Sequence, residues 1–128
     1  GGVGLFIPLR FLVFIGFLLA FNASSHAQGD RKAAIQYYWG CQYLIHEPVP
    51  VTVQEIEQSG KCQSAINNVL NFNKELPSNM AFCPPLLSSG VVDTARVIVS
   101  FMKSNTPRLA ERFDMMAYSA LRTAWPCS

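Results

Sequence analysis

A chain of 128 residues has room for one domain and not for two once any leader is set aside. Ten basic and eight acidic residues give a formal charge of +2, too small an excess to provide an electrostatic footprint for nucleic acid. Half of the residues are hydrophobic, but much of that excess lies in the first 21 positions, and the remainder has an ordinary globular composition.

Arg10 precedes an unbroken apolar run over residues 11–21, and a polar stretch follows over residues 22–25. That is the n-, h- and c-region order of a secretory signal peptide. An eleven-residue run falls short of the roughly 20 apolar residues a membrane-spanning helix needs, so a retained anchor is the weaker reading. Ser25-His26-Ala27 places small residues where a signal peptidase reads them. Residues 1–27 are therefore expected to be a cleaved signal peptide and residues 28–128 a single domain beginning at Gln28. Because the chain opens on Gly1 rather than methionine, its basic n-region is expected to be incomplete.

Four helices are expected beyond the leader. The first covers residues 30–45, with Asp30 as N-cap and Ile35, Tyr38, Trp39, Gln42 and Leu44 on a broad face. Glu47-Pro48-Val49-Pro50 stops it, since neither proline can continue a helical ladder. Thr52-Val53-Gln54-Glu55 then has the capping-box pattern of a second helix. Ser59-Gly60 is expected to bend or break that helix, leaving residues 61–73 as its ordered part, with Cys62, Ala65, Ile66, Val69, Leu70 and Phe72 recurring near helical spacing. Residues 73–88 carry Pro77, Pro84 and Pro85 without any period and read as the longest loop.

A third helix is expected from about Ser89, with Val91, Ala95, Ile98 and Met102 on one face and Val92, Val99 and Phe101 widening it. Thr106-Pro107 announces a fourth, an N-cap hydroxyl followed by proline at the first helical position. Leu109, Phe113, Met116, Ala117, Ala120, Leu121 and Ala124 would line its inner face as far as Pro126. The short joint at residues 104–106 makes the last two helices an antiparallel hairpin. The fold class is thus all-α, a small disulfide-braced bundle of four to five helices ending in that hairpin.

All four cysteines lie beyond the leader, in a chain that would meet an oxidising compartment. Four cysteines allow three pairings, and sequence alone does not formally choose among them. The hairpin brings Cys83, just before the third helix, to the same end as Cys127, just after the fourth, which leaves Cys41 with Cys62. No two of them have the two-to-four-residue spacing of a zinc knuckle, so neither a metal nor another cofactor is expected. His46 is the one histidine beyond the leader, and it sits beside Glu47 in a proline-rich turn. Glu55 and Glu57 point in different directions on a helix, while Glu111 and Asp114 lie among Arg108 and Arg112 as a solvated charged face. With no phosphate loop, nucleophile elbow or histidine pair, the sequence argues against an enzyme. Trp39, Trp125, Tyr37, Tyr38, Tyr43 and Tyr118 exceed what a core of this size must hold, and an exposed one would mark a partner surface.

Phe82-Cys83-Pro84-Pro85, the valine-rich helix ending in Phe101-Met102, Thr106-Pro107 and the closing Ala120-Leu121-Arg122-Thr123-Ala124-Trp125-Pro126-Cys127 resemble the Rap/Tai family of type VI secretion immunity proteins. Cys41 and Cys62-Gln63-Ser64-Ala65-Ile66 also resemble the family's upstream cysteines and cysteine-led helix start, so the likeness covers about residues 38–127. Ser64-Ala65-Ile66-Asn67-Asn68 replaces the family's glycine-tyrosine-isoleucine-x-glycine stretch, Asp93 a common glutamine and Trp125 the usual phenylalanine. The resemblance implies an all-helical periplasmic protein, free of the membrane after leader cleavage, that occludes the cleft of a peptidoglycan-amidase toxin without chemistry of its own. The contact candidates are the irregular segments 47–51 and 76–87. The second ranks first, with Leu76, Pro77, Asn79, Met80, Phe82, Pro84 and Pro85 as partner-binding residues. A homodimer is the alternative assembly. A small periplasmic chaperone or stress protein is the alternative function.

Overall fold

The computed structural model describes residues 32–46, 52–87 and 90–127. The leader, its cleavage point at Ala27, Asp30, the segment 47–51 and Ser89 lie outside the described residues. Within them are four α-helices: α1 (Ile35–Ile45), α2 (Val53–Lys74), α3 (Val91–Ser104) and α4 (Phe113–Ala124). A 3-10 turn (Thr106–Arg108) precedes α4. They form an all-α bundle braced by two disulfides, Cys41–Cys62 and Cys83–Cys127. These are the pairs the hairpin topology selects.

The Thr52 side chain accepts the Glu55 amide at 3.1 Å and starts α2, whose buried residues Cys62, Ala65, Ile66 and Val69 form one helical stripe. The expected break at Ser59-Gly60 does not occur. The Ser59 hydroxyl donates to the Ile56 carbonyl at 2.8 Å, and Gly60 faces open space. One glycine in a helix costs about 1 kcal/mol relative to alanine. The contacts that tie this part of α2 to α1 exceed that penalty. A Cβ on Gly40 would lie 2.2 Å from the Gln58 carbonyl oxygen, so the two helices meet backbone against backbone there, one residue before Cys41 and one turn before Cys62.

That crossing also corrects the expected face of α1. Gly40, Cys41 and Gln42 are its buried residues, whereas Ile35 and Trp39 are exposed. Its start is corrected too: the helix begins at Ile35 after Ala34, with no side-chain cap, and Asp30 lies too far upstream to be its N-cap. The Ala34 and Ile35 amides instead donate to the carbonyls of Glu111 and Leu109 at 2.8 and 3.0 Å. The Phe113 amide donates to Lys32 at 2.9 Å, and Ala33 and Arg112 form an isolated antiparallel bridge.

The same bridge moves the start of the fourth helix. Thr106-Pro107 opens only the 3-10 turn, and α4 begins at Phe113. With the carbonyls of Leu109 and Glu111 turned toward the incoming chain, they cannot feed a helical ladder. Beyond that point both hairpin helices follow their sequence period, except that Val92 and Ala124, expected on the inner faces, are exposed. Thr94, Ala95, Ile98, Val99 and Met102 of α3 and Phe113, Met116, Ala117, Ala120 and Leu121 of α4 are buried, with Phe82 and Ile66 completing the largest part of the core. Thr94 satisfies its hydroxyl on the Gly90 carbonyl at 2.8 Å.

The disulfides close sequence separations of 21 and 44 residues, which in the chain-entropy model stabilise the fold by about 3 and about 4 kcal/mol. Two such bonds place the chain in an oxidising compartment. No described helix is long and apolar enough to cross a membrane.

Candidate partner-binding groove

The loop after α2 is built by its neighbours. Asn73 clamps it with both ends of its amide, donating to the Phe82 carbonyl at 2.8 Å and accepting the Phe82 amide at 2.9 Å. Between these points the Met80 and Ala81 amides fold back on the Pro77 carbonyl at 2.9 and 3.0 Å. From α4, the Tyr118 hydroxyl donates to the Met80 carbonyl, and Arg122 donates to the carbonyls of Met80 at 3.0 Å and Asn79 at 2.7 Å. Downstream, the Cys83 amide donates to Trp125 at 2.7 Å and Phe82 bridges to Pro126. A stretch with no periodicity is thus held at residue after residue.

Between this loop, α2 and α4 lies a cavity of about 400 Å³. Ala65, Asn68, Val69 and Phe72 form its α2 wall, Leu76 and Met80 its loop wall, and residues from Arg112 to Met115 with Tyr118 its α4 wall. Phe72, Met80 and Met115 are 58%, 47% and 53% exposed, so part of the rim is apolar. The charges at the rim neutralise each other: Arg112 grips Asp114 through two bonds, at 3.1 and 2.6 Å. Just upstream, a similar two-bond grip from Arg108 holds the Glu111 carboxyl below its ordinary pKa, with desolvation opposing and Coulomb attraction adding to the effect. These arginines and carboxylates form ion pairs, as a solvated charged face should. With the Tyr118 hydroxyl engaged by the loop, the groove mainly offers a visitor apolar and thioether surface, suited to an uncharged side chain.

The expected contact residues divide on this geometry. Leu76 and Met80 line the groove. Pro77 and Asn79 are exposed and do not line the groove, and Asn79 is tied to Arg122 through its carbonyl. Phe82 is buried in the core, where its ring meets Tyr118 at 6.3 Å, so its side chain cannot reach a partner. Pro84 and Pro85 lie past Cys83 and do not line the groove; after them Leu86 and Leu87 are 97% and 99% exposed. Sequence reasoning missed Phe72, which it read only as part of the helical spacing of α2, and Met115. The available signal was Met115 lying off the buried stripe of α4, an apolar residue with no place in the core. Among the tryptophans and tyrosines singled out in the sequence Trp39 is the exposed one, edge-on to Tyr38 at 5.4 Å and far in sequence from the groove. His46 is exposed at the end of α1.

Comparison with known proteins finds no matching family model, no matching curated protein and no matching solved structure.

Proposed function

We propose that this chain is an exported, periplasmic, non-catalytic binding protein of the Rap/Tai immunity type, which inhibits a peptidoglycan-amidase effector of type VI secretion by occluding its active-site cleft. The observation that supports this reading is the Cys83–Cys127 bond. It joins the phenylalanine-cysteine-proline element to the tryptophan-proline-cysteine ending, the two motifs that carry the resemblance. The loop it borders is already rigid through Asn73, Tyr118 and Arg122, so docking it in a cleft would cost little ordering entropy. Leu76 and Met80, flanked by Phe72 and Met115, are the contact set this reading favours.

The test is an amidase encoded beside this gene, assayed on peptidoglycan with increasing amounts of the protein. Activity is expected to fall to zero near one inhibitor per toxin, and Met80→Asp should abolish inhibition while leaving the helical circular dichroism unchanged. An amidase that stays fully active at molar excess, for every co-encoded candidate, would sink the proposal.

The exposure of Leu86 and Leu87 favours a second reading, a small periplasmic chaperone that offers apolar surface to unfolded clients. Suppression of aggregation of unrelated proteins in acid would support it. Inertness toward them, together with inhibition of the amidase, would leave the first reading alone.

A further inference from the structure

The two disulfides differ in burial, which bears on one of the factors that govern thiol–disulfide exchange, access for an attacking thiolate. Cys41 and Cys62 are both fully buried, enclosed where α1 and α2 meet backbone to backbone. Cys83 is exposed and Cys127 half-buried. The backbone around the second pair is closed independently of the sulfurs, by the Cys83 amide on the Trp125 carbonyl at 2.7 Å, by the Phe82–Pro126 bridge and by the Asn73 clamp on Phe82. The Cys127 sulfur also lies 3.3 Å from the Ala81 carbonyl oxygen. A thiol formed there finds an acceptor already in place.

We propose that Cys83–Cys127 is a thiol–disulfide exchange site on the folded protein, open to a dithiol oxidoreductase while Cys41–Cys62 stays closed. A donor thiolate attacks the Cys83 sulfur, forming a mixed disulfide and expelling Cys127 as a thiolate, which takes up a proton. The donor's second thiol loses its proton and attacks the mixed bond, releasing Cys83, which is protonated in turn. Two electrons pass from the dithiol to the cystine, which ends as two thiols, and the donor ends as a disulfide. In the reverse direction the same site is where an oxidised catalyst installs the bond after the bundle has formed. The bond borders the groove loop without lining the groove. Reduction therefore breaks the covalent link between residues 83–87 and the segment after α4 and leaves the clamp at Asn73 intact. This inference stands on burial and backbone geometry and does not depend on the partner proposed above.

The experiment is a timed reduction of the native protein with dithiothreitol, and separately with a dithiol oxidoreductase of the C-x-x-C type, followed by alkylation, peptide mass spectrometry and far-ultraviolet circular dichroism. The expected result is a two-thiol species alkylated at Cys83 and Cys127 alone, with unchanged helical signal, formed about a hundredfold faster than the four-thiol species. An oxidoreductase lacking its second cysteine should be trapped as a mixed disulfide on Cys83. A Cys83→Ser/Cys127→Ser variant should fold with the native helical signal and show only the slow reduction. Simultaneous reduction of both bonds, earlier loss of Cys41–Cys62, or reduction only in step with loss of helical signal would each overturn the proposal.

Discussion

The pair α1–α2 and the hairpin α3–α4 reach stability by different routes. The hairpin buries regular apolar stripes, from Thr94 to Met102 on one helix and from Phe113 to Leu121 on the other. It carries its disulfide at the surface. α1 buries only Gly40, Cys41 and Gln42, and its contact with α2 rests on a close backbone approach and a fully buried disulfide. A helix too short and too irregular to present a wide apolar stripe can still be fixed if a missing side chain lets the backbones touch and a covalent bond holds them there.

The sharpest way to break this comparison is to remove the buried bond. Cys41→Ala/Cys62→Ala is expected to lose the loop-closure term and the packing of two enclosed sulfurs, together about 4 to 5 kcal/mol by denaturant unfolding. Removing Cys83–Cys127 should lose only the loop-closure term, about 4 kcal/mol, despite its longer loop. If the exposed bond proves the costlier loss, the α1–α2 interface is less dependent on its brace than the burial of its sulfurs indicates.

Next in size is Gly40→Ala. The added carbon would stand 2.2 Å from the Gln58 carbonyl oxygen and 2.8 Å from its carbon, neither of which can move without shifting a helix. A loss of about 3 kcal/mol is expected, read from the midpoint of thermal or denaturant unfolding.

Asn73→Ala removes two bonds to Phe82 and should cost about 2 kcal/mol, with faster proteolysis between residues 76 and 82 than elsewhere. The same change should weaken binding of any partner that depends on the shape of the groove.

Gly60→Ala is the smallest and has the opposite sign. Nothing lies within 4 Å of the added carbon, and the position is interior to α2, so a gain of about 0.5 to 1 kcal/mol is expected. A loss instead would mean that α2 depends on a bend there which the continuous helix does not show.

Much of the fold was legible, unevenly and for identifiable reasons. The Thr52 cap, the stripe from Cys62 to Val69 and both hairpin stripes follow local rules, since a helix period and a capping hydroxyl need only neighbouring residues. The disulfide pairing followed from the hairpin. Gln42 was placed on the inner face of α1 and is buried, with its amide donating to the Tyr38 hydroxyl at 3.0 Å. The exposure of Trp39 was not legible, because a large aromatic is buried or left out according to which helix it meets.

The groove was half legible. Leu76 and Met80 were singled out because their segment has no period, whereas Phe72 shared the helical spacing of the buried residues of α2 and Met115 lay off the inner face of α4 with nothing nearby in sequence to face it. Only the arrival of the 76–80 loop beside them separates floor from interior.

Amphipathic period, caps, prolines and the order of the cysteines determined an all-α chain with two braces and a closing hairpin, because each acts within a few residues of itself. Tertiary structure decided where α1 and α4 begin, since the amides of Ala34 and Ile35 and the carbonyls of Leu109 and Glu111 satisfy one another across more than 70 residues of chain. It also decided which disulfide is enclosed and which is open. Enclosure depends on the Gly40–Gln58 crossing, and a glycine in a helix does not announce which backbone will occupy the space it leaves.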